Sequence, residues 1–370
     1  KTLAARGPKR TEQGSNTFRT APDGNFGERM AVLVESAPQM LSSSECQINE
    51  PQQEPVTISE TMEDAWHRVG ASSEMLANLK EADRRGTEKG SLAFDQKIRV
   101  GALRCLSSML QGTTGSQSYW FKASLLFDLC ADCAGLAELP LTCAAIARIV
   151  VKPDFTLHSC VPLLSERCPG RRLIQDFSSW LSATANVETK AINDRSLCQH
   201  EQLVLKALDW QVDYPCVEQW CYVYFARIGM LAGFRTSEQL HKMQVRVAIS
   251  ARAILMSRPA TKELSHGDVV LSLFVLSFVD AGYLPLQKLK PKHLEDDDWD
   301  TLYAESQLGG GELPQCHVSE AIASQILEML CLTVQEDVEE LCNKAYHVVQ
   351  EMIQAFRWIQ SYQSETSRGV

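Results

Sequence analysis

Apolar residues recur every three to four positions along most of this chain, from about residue 60 to about residue 360. This is the period of an amphipathic α-helix that turns one face toward a core. One clear stretch of the pattern holds Ile98, Ala102, Cys105, Leu106 and Met109. No run of alternating β-branched residues between turn signals occurs, so strands are not expected. The sequence therefore predicts an all-α protein.

The predicted helices form two groups of about 120 residues each, which is an ordinary domain size. The first residues of the chain are rich in Pro, Gly, Ser, Thr, Gln and Asn and contain few apolar clusters, as in disordered segments. We predict a disordered tail over 1–57, an N-terminal helical extension over 58–90, two helical domains over 91–214 and 215–333, and a C-terminal helix within 334–370.

The chain carries 36 Lys and Arg residues against 46 Asp and Glu, a net charge of −10. Nucleic-acid binding needs clustered positive charge, so this balance argues against it and favours protein partners. The 13 cysteines have no framework spacing and are typical of reduced intracellular thiols. No apolar run approaches the ~18–20 residues of a membrane helix, and no apolar signal segment opens the chain. We expect an intracellular protein of the nucleus or cytoplasm that does not bind membranes.

Sequence signatures of catalysis are absent: the chain has no P-loop, no nucleophile elbow, no H-E-x-x-H motif and no kinase signature set. Cys130 and Cys133 have the spacing of a zinc or redox pair, but no second pair completes such a site. We interpret both as small core residues inside an apolar helix. The 8 histidines include no i, i+4 pair. We therefore expect no enzyme activity, no metal and no cofactor.

Four charged residues interrupt otherwise apolar helical stretches: Arg99, Asp128, Lys152 and Glu201. Arg99 lies between Ile98 and Val100, and Asp128 lies within the segment LLFDLC. Lys152 ends the run AAIARIVVK, and Glu201 begins the run EQLVLKALDW. Burying a charge is costly, so each of these side chains must pair, extend to solvent or face a partner.

The order and spacing of these four residues resemble the cyclin family, the regulatory subunits of cyclin-dependent kinases. Arg99 matches the arginine of the family's M-R-A-I-L motif, and Asp128 matches the aspartate of N-x-I-D-R-F-L. Lys152 follows a small-residue helix like the one that precedes the family's A-S-K-x-E-E lysine. Glu201, in HEQLVLKALDWQVDYPCVEQW, matches the glutamate of M-E-x-x-I-L-x-x-L-x-W-x-x-x-x-P-T, the most specific of the four matches.

Two further segments resemble cyclins. Residues 74–81 resemble the E-D-I-x-x-Y-L-R-E helix that precedes the box in mitotic A- and B-type cyclins. Residues 257–277 resemble the second box more loosely, so that the resemblance covers about 70–333. It implies two tandem five-helix cyclin boxes, over 91–214 and 215–333, flanked by extra N- and C-terminal helices.

The resemblance also implies residue roles and a partner. The chain would bind and activate a cyclin-dependent kinase as a heterodimer and thereby control the cell cycle, with kinase substrates or inhibitors as further partners. Four residues would contact the kinase: Lys152, Glu201, Met75 and Leu79. The lysine supplies only hydrogen-bond donors and the glutamate only acceptors, so together they suit an irregular backbone segment. Arg99 and Asp128 would form an internal pair that stabilises the first box.

The chain departs from the family in two places. Between Lys152 and Glu201 lie 48 residues, roughly twenty more than the family has, which predicts an insertion at about 157–192. The second departure is the substrate-docking patch, which would consist of Ile98, Gly101, Ala102, Cys105 and Ser108. The family has larger residues there, including a Trp where this chain has Cys105. We therefore predict a shallow, degenerate patch that binds R-x-L peptides weakly.

Three alternatives stay open. The chain could have the cyclin fold of general transcription factors and bind DNA, although its acidic charge argues against this. It could be a pseudo-cyclin scaffold that keeps the fold without activating a kinase. It could also be an unrelated helical scaffold in which the four charges match by chance.

Overall fold

In a computed structural model of the chain, the structure describes residues 62–89, 95–111, 116–130, 133, 135–151, 169–232, 237–257, 264–307, 316 and 318–368. The predicted disordered tail over 1–57 lies outside these residues, and so does Lys152. The described part of the chain contains helices and no strand, which confirms the prediction of an all-α protein.

The α-helices run in chain order as α1 Met62–Arg68, α2 Ser73–Lys89, α3 Gln96–Leu110, α4 Ser116–Cys130, α5 Leu139–Val151, α6 Pro169–Ala185, α7 Asp194–Ala207, α8 Val217–Ala232, α9 Ser237–Ser257, α10 His266–Asp280, α11 Asp296–Ser306, α12 Glu320–Val334 and α13 Val338–Arg368. Two short 3-10 turns cover Leu136–Glu138 and Leu286–Leu289. In the described part of the chain no helix is both long and apolar enough to cross a membrane.

Helix α5 is the centre of the first group of helices. Its sequence, LPLTCAAIARIVV, is apolar on all sides, and every residue except Arg148 is buried. A helix of this kind must be surrounded by others. Helices α3, α4, α6 and α7 all pack against α5.

Helix α10 has the same position in the second group. Its residues are buried almost throughout, because aliphatic and phenylalanine side chains fill the circumference of HGDVVLSLFVLSFVD. A capping box fixes its start: the Ser265 side chain accepts from the Asp268 backbone, and the Asp268 side chain accepts from the Ser265 backbone. Helices α8, α9 and α13 pack around α10, while α11 and α12 pack on α13.

The N-terminal helices α1 and α2 attach to the second group through buried polar contacts. The guanidinium of Arg227 lies 3.4 Å from the centre of the Trp66 ring, and its Nη1 donates to the Ala71 carbonyl at 3.0 Å. Asp83 of α2 accepts from the Gly267 backbone N–H at 3.0 Å. A side chain at Gly267 would place a Cβ only 2.5 Å from that carboxylate, so glycine is needed for this contact.

Two local features were not expected from the sequence. The segment predicted as an insertion contains α6, which buries Ile174, Phe177 and Leu181 against α3 and α5 and so belongs to the core. Its earlier part, up to residue 168, lies outside the described residues. Helix α4 ends at Cys130, so Cys133 lies beyond the apolar helix that was predicted to hold both cysteines.

Candidate functional site

Arg99 of α3 and Asp128 of α4 form the ion pair that the resemblance implied. Nε of Arg99 donates to Oδ1 at 2.9 Å, and Nη2 donates to Oδ2 at 2.7 Å. The arginine side chain is 0% exposed and the aspartate side chain 15% exposed. This bidentate geometry is the strongest that an arginine and a carboxylate adopt, and it joins the first two helices of the group.

Glu201 lies on α7, on the face that packs against α5. Only 8% of its side chain is exposed, and its Oε1 lies 2.8 Å from Nε of Arg148, which is 30% exposed. One residue earlier, Nε2 of His200 lies 3.0 Å from Oγ1 of Thr142, also on α5. Burial lowers the pKa of His200, which favours the neutral ring at this contact. Two polar contacts therefore fix α7 against α5.

Arg148 is a residue of this site that the sequence analysis missed. Lys152, the residue that was expected beside Glu201, lies outside the described residues. Arg148 interrupts the apolar run AAIARIVV one helical turn before it. The criterion that singled out Arg99 and Asp128, a charge within an apolar helix, would have found Arg148 as well.

The two α2 residues that were predicted to contact a kinase differ in exposure. Met75 is exposed near the start of the helix, whereas Leu79 is buried and belongs to the core. Helix α2 packs against α1, α4 and α10. Of the two side chains, Met75 is therefore the one available to a partner.

Trp210 follows the end of α7 and is the most exposed large apolar side chain described, at 64%. Asp209 and Trp210 have φ values of 52° and 60°, in the left-handed region that non-glycine residues rarely adopt. The turn is closed by a hydrogen bond from the Trp210 N–H to the Leu205 carbonyl at 2.7 Å. Such strain is often found where a side chain must be held in a functional position.

Trp180 of α6 covers Gly101, one residue of the predicted docking patch. Ile98 and Ala102 point into the core, while Gly101, Cys105 and Ser108 line a cleft of about 300 Å³. Trp180 lies on Gly101 so closely that a Cβ there would be 2.5 Å from the indole ring. Phe177 stacks on Trp180 with ring centres 5.7 Å apart. The patch thus contains a tryptophan after all, supplied by another helix.

The cysteine thiols of this region are not activated as nucleophiles or as metal ligands. Burial, with the nearby Asp176 carboxylate, raises the pKa of the Cys105 thiol to about 12. Burial also raises the pKa of Cys143 well above its ordinary value. A protonated thiol is a poor nucleophile and a poor metal ligand. Within the described ranges, no group of three or more His, Cys, Asp or Glu side chains is placed to hold a metal ion.

Comparison with known proteins yields no match to a family model, to a curated protein or to a solved structure. The resemblance to cyclins therefore rests on the sequence motifs quoted above.

Proposed function

We propose that this chain is a cyclin-like regulatory subunit that binds and activates a cyclin-dependent kinase and does no chemistry itself. Residues 91–214 and 215–333 would then be two cyclin boxes, built around α5 and α10 respectively. The proposal is supported by the four motif residues of the sequence and by two nearly fully buried central helices, each surrounded by others.

The observation that carries the proposal is the surface formed by α5 and α7. It holds the Arg148–Glu201 ion pair between the two helices, and the turn that follows α7 holds Trp210, a large exposed aromatic side chain on strained backbone. Exposed aromatic residues and arginines are enriched among the residues that dominate binding energy in protein interfaces.

The mechanism would be a shift between two states of the kinase. In an active kinase, a glutamate of the C-helix pairs with the strand-three lysine that holds the ATP phosphates. A subunit that binds the active position of that helix more tightly than the inactive one shifts the equilibrium by its difference in affinity. The α5–α7 surface would supply this difference through contacts that only the active position allows.

The test uses the purified full chain and a panel of purified cyclin-dependent kinases, with affinity and phosphorylation of a peptide substrate as readouts. We expect one kinase to bind and to gain activity, and Trp210→Ala to weaken binding by about 2 kcal/mol or more, as interface anchors do. Ile322→Ala on α12 removes another exposed apolar side chain and is the matched control. If no kinase of the panel binds the chain, the proposal is wrong.

A second candidate is a cyclin-fold scaffold that does not activate a kinase. The observation that favours it is the docking patch, because Trp180 already occupies the space above Gly101 where a substrate motif would lie. Binding of a kinase without a gain in its activity would support this candidate over the first.

A further inference from the structure

Helix α13 belongs to the second group of helices for the first half of its length. It has 31 residues, and its larger contacts are with α9, α10, α11 and α12. Leu341, Ala345, Val348 and Val349 recur at helical spacing and are fully buried in that group. These contacts fix the first half of α13 to the second group.

The second half of α13 reaches the first group through Trp358. The half-buried indole lines the cleft of about 300 Å³, together with Val100 of α3 and with Phe177 and Trp180 of α6. Since successive residues of an α-helix are about 100° apart, Trp358 lies about 80° around the helix from Val348 in the buried stripe. One helix therefore packs on the second group with one face and reaches the first group with another.

Trp358 turns a groove between two helices into a cleft with three walls. All the other residues that line the cleft belong to α3 or α6, and Leu173, Phe177 and Trp180 make the α6 wall largely apolar. An indole ring placed against such a wall removes apolar surface from water on both sides. Helix α13 thus covers apolar surface of the first group with one of its own side chains.

The residue next to Trp358 holds the end of α13 through an exposed ion pair. Nη2 of Arg357 lies 3.3 Å from Oε2 of Glu305 on α11, and the two side chains are 72% and 48% exposed. Exposed pairs of this kind contribute little to stability. Helix ends open locally at free energies near zero unless tertiary contacts hold them. The last turns of α13 can therefore leave the cleft while the buried first half stays in place.

We propose that the last turns of α13 are an intramolecular cover of the α3–α6 cleft, with Trp358 as the side chain that closes it. In the covered state the chain occupies this site with its own residue, and a segment of another protein must displace Trp358 before it enters. Access to the cleft is then regulated by the local opening of one helix end. This regulation stands whether or not the chain binds a kinase, because both sides of the contact belong to the chain.

Labelling of Cys105 in the purified full chain measures whether the cleft is open. This thiol lines the cleft and is only 7% exposed, and burial with the nearby Asp176 carboxylate raises its pKa to about 12. The thiolate is the form that reacts with N-ethylmaleimide, and each unit by which the pKa falls raises its amount about tenfold. We expect Trp358→Ala to speed the labelling of Cys105 about tenfold, as located by peptide mass spectrometry, because opening exposes the thiol to water. Trp358→Phe keeps an aromatic ring on the cleft and should label at close to the parent rate.

Two controls separate opening of the cleft from loosening of the fold. Cys143 is fully buried in α5 of the same group, so its labelling rate should not change in Trp358→Ala. Ile322→Ala removes an exposed apolar side chain of α12 and should leave Cys105 at the parent rate. Parent-like labelling of Cys105 in Trp358→Ala overturns the proposal. Faster labelling of Cys105 and Cys143 together would show a general loosening of the first group and would overturn it as well.

Discussion

Removing Asp128 should destabilise the protein strongly, because Arg99 is a buried charge that would lose the carboxylate to which it donates twice. The arginine side chain is 0% exposed and donates twice to the aspartate. Breaking a buried ion pair from one side costs about 3–5 kcal/mol. We expect Asp128→Ala to lower the free energy of unfolding by that amount. Arg99→Ala should cost a similar amount, since it leaves a cavity and an aspartate that is only 15% exposed.

The double variant shows whether the two side chains act as a unit. If each cost arises from stranding the other partner, Arg99→Ala with Asp128→Ala should cost about 2–3 kcal/mol less than the two single variants together. The assay is guanidinium unfolding of the full chain followed by circular dichroism, with the slope of the transition compared between variants.

A matched control comes from an exposed ion pair on α9. Lys242 and Glu238 lie 2.7 Å apart at an i, i+4 spacing and are 69% and 81% exposed. Exposed pairs contribute little to stability, so the same cycle on this pair should change little. Strict additivity for Arg99 and Asp128 would refute the argument that each stabilises the other.

Three further predictions concern other contacts. An R-x-L peptide should bind no better than high-micromolar by titration calorimetry, because Trp180 already covers Gly101 in the docking patch; a low-micromolar Kd would contradict this. Arg227→Ala should lower the free energy of unfolding by about 2–4 kcal/mol, because it removes a cation–π contact and strands buried carbonyls, and limited proteolysis should then cut within α1 first. Stability should fall as pH drops below about 6.5, because His200 has a lowered pKa when folded and binds a proton more readily when unfolded; His200→Gln should reduce this slope.

Most of the helices could be predicted from the sequence because their apolar residues recur every three to four positions. Helices α5 and α10 are apolar on all sides, so their central positions follow from composition alone. The Arg99–Asp128 pair was expected on other grounds. The apolar flanks show only that each charge must pair, extend to solvent or face a partner, and the resemblance to cyclins implied that these two pair with each other.

Helix α6 was missed although its apolar positions have a helical spacing. Ile174, Phe177 and Leu181 lie at i, i+3 and i+7, and all three are buried. The stretch was predicted as an insertion from the count of residues between two motifs, and such a count carries no information about packing. Gly101 leaves room for another element to approach α3 closely, but a glycine does not specify which element approaches. That information lies in the tertiary contact with Trp180.

The two helical groups use their buried charges differently, and this difference bears on which group binds a partner. In the second group, Arg227 binds the N-terminal segment, and Lys344 pairs with Asp268 at 3.1 Å within the group. Both cations serve internal contacts. In the first group, the cation beside Glu201 remains 30% exposed and lies on the helix pair that ends in an exposed tryptophan. A partner that excludes water from this ion pair would strengthen it, and a partner that covers Trp210 would bury a large aromatic side chain. The first group is therefore the better candidate for the binding face.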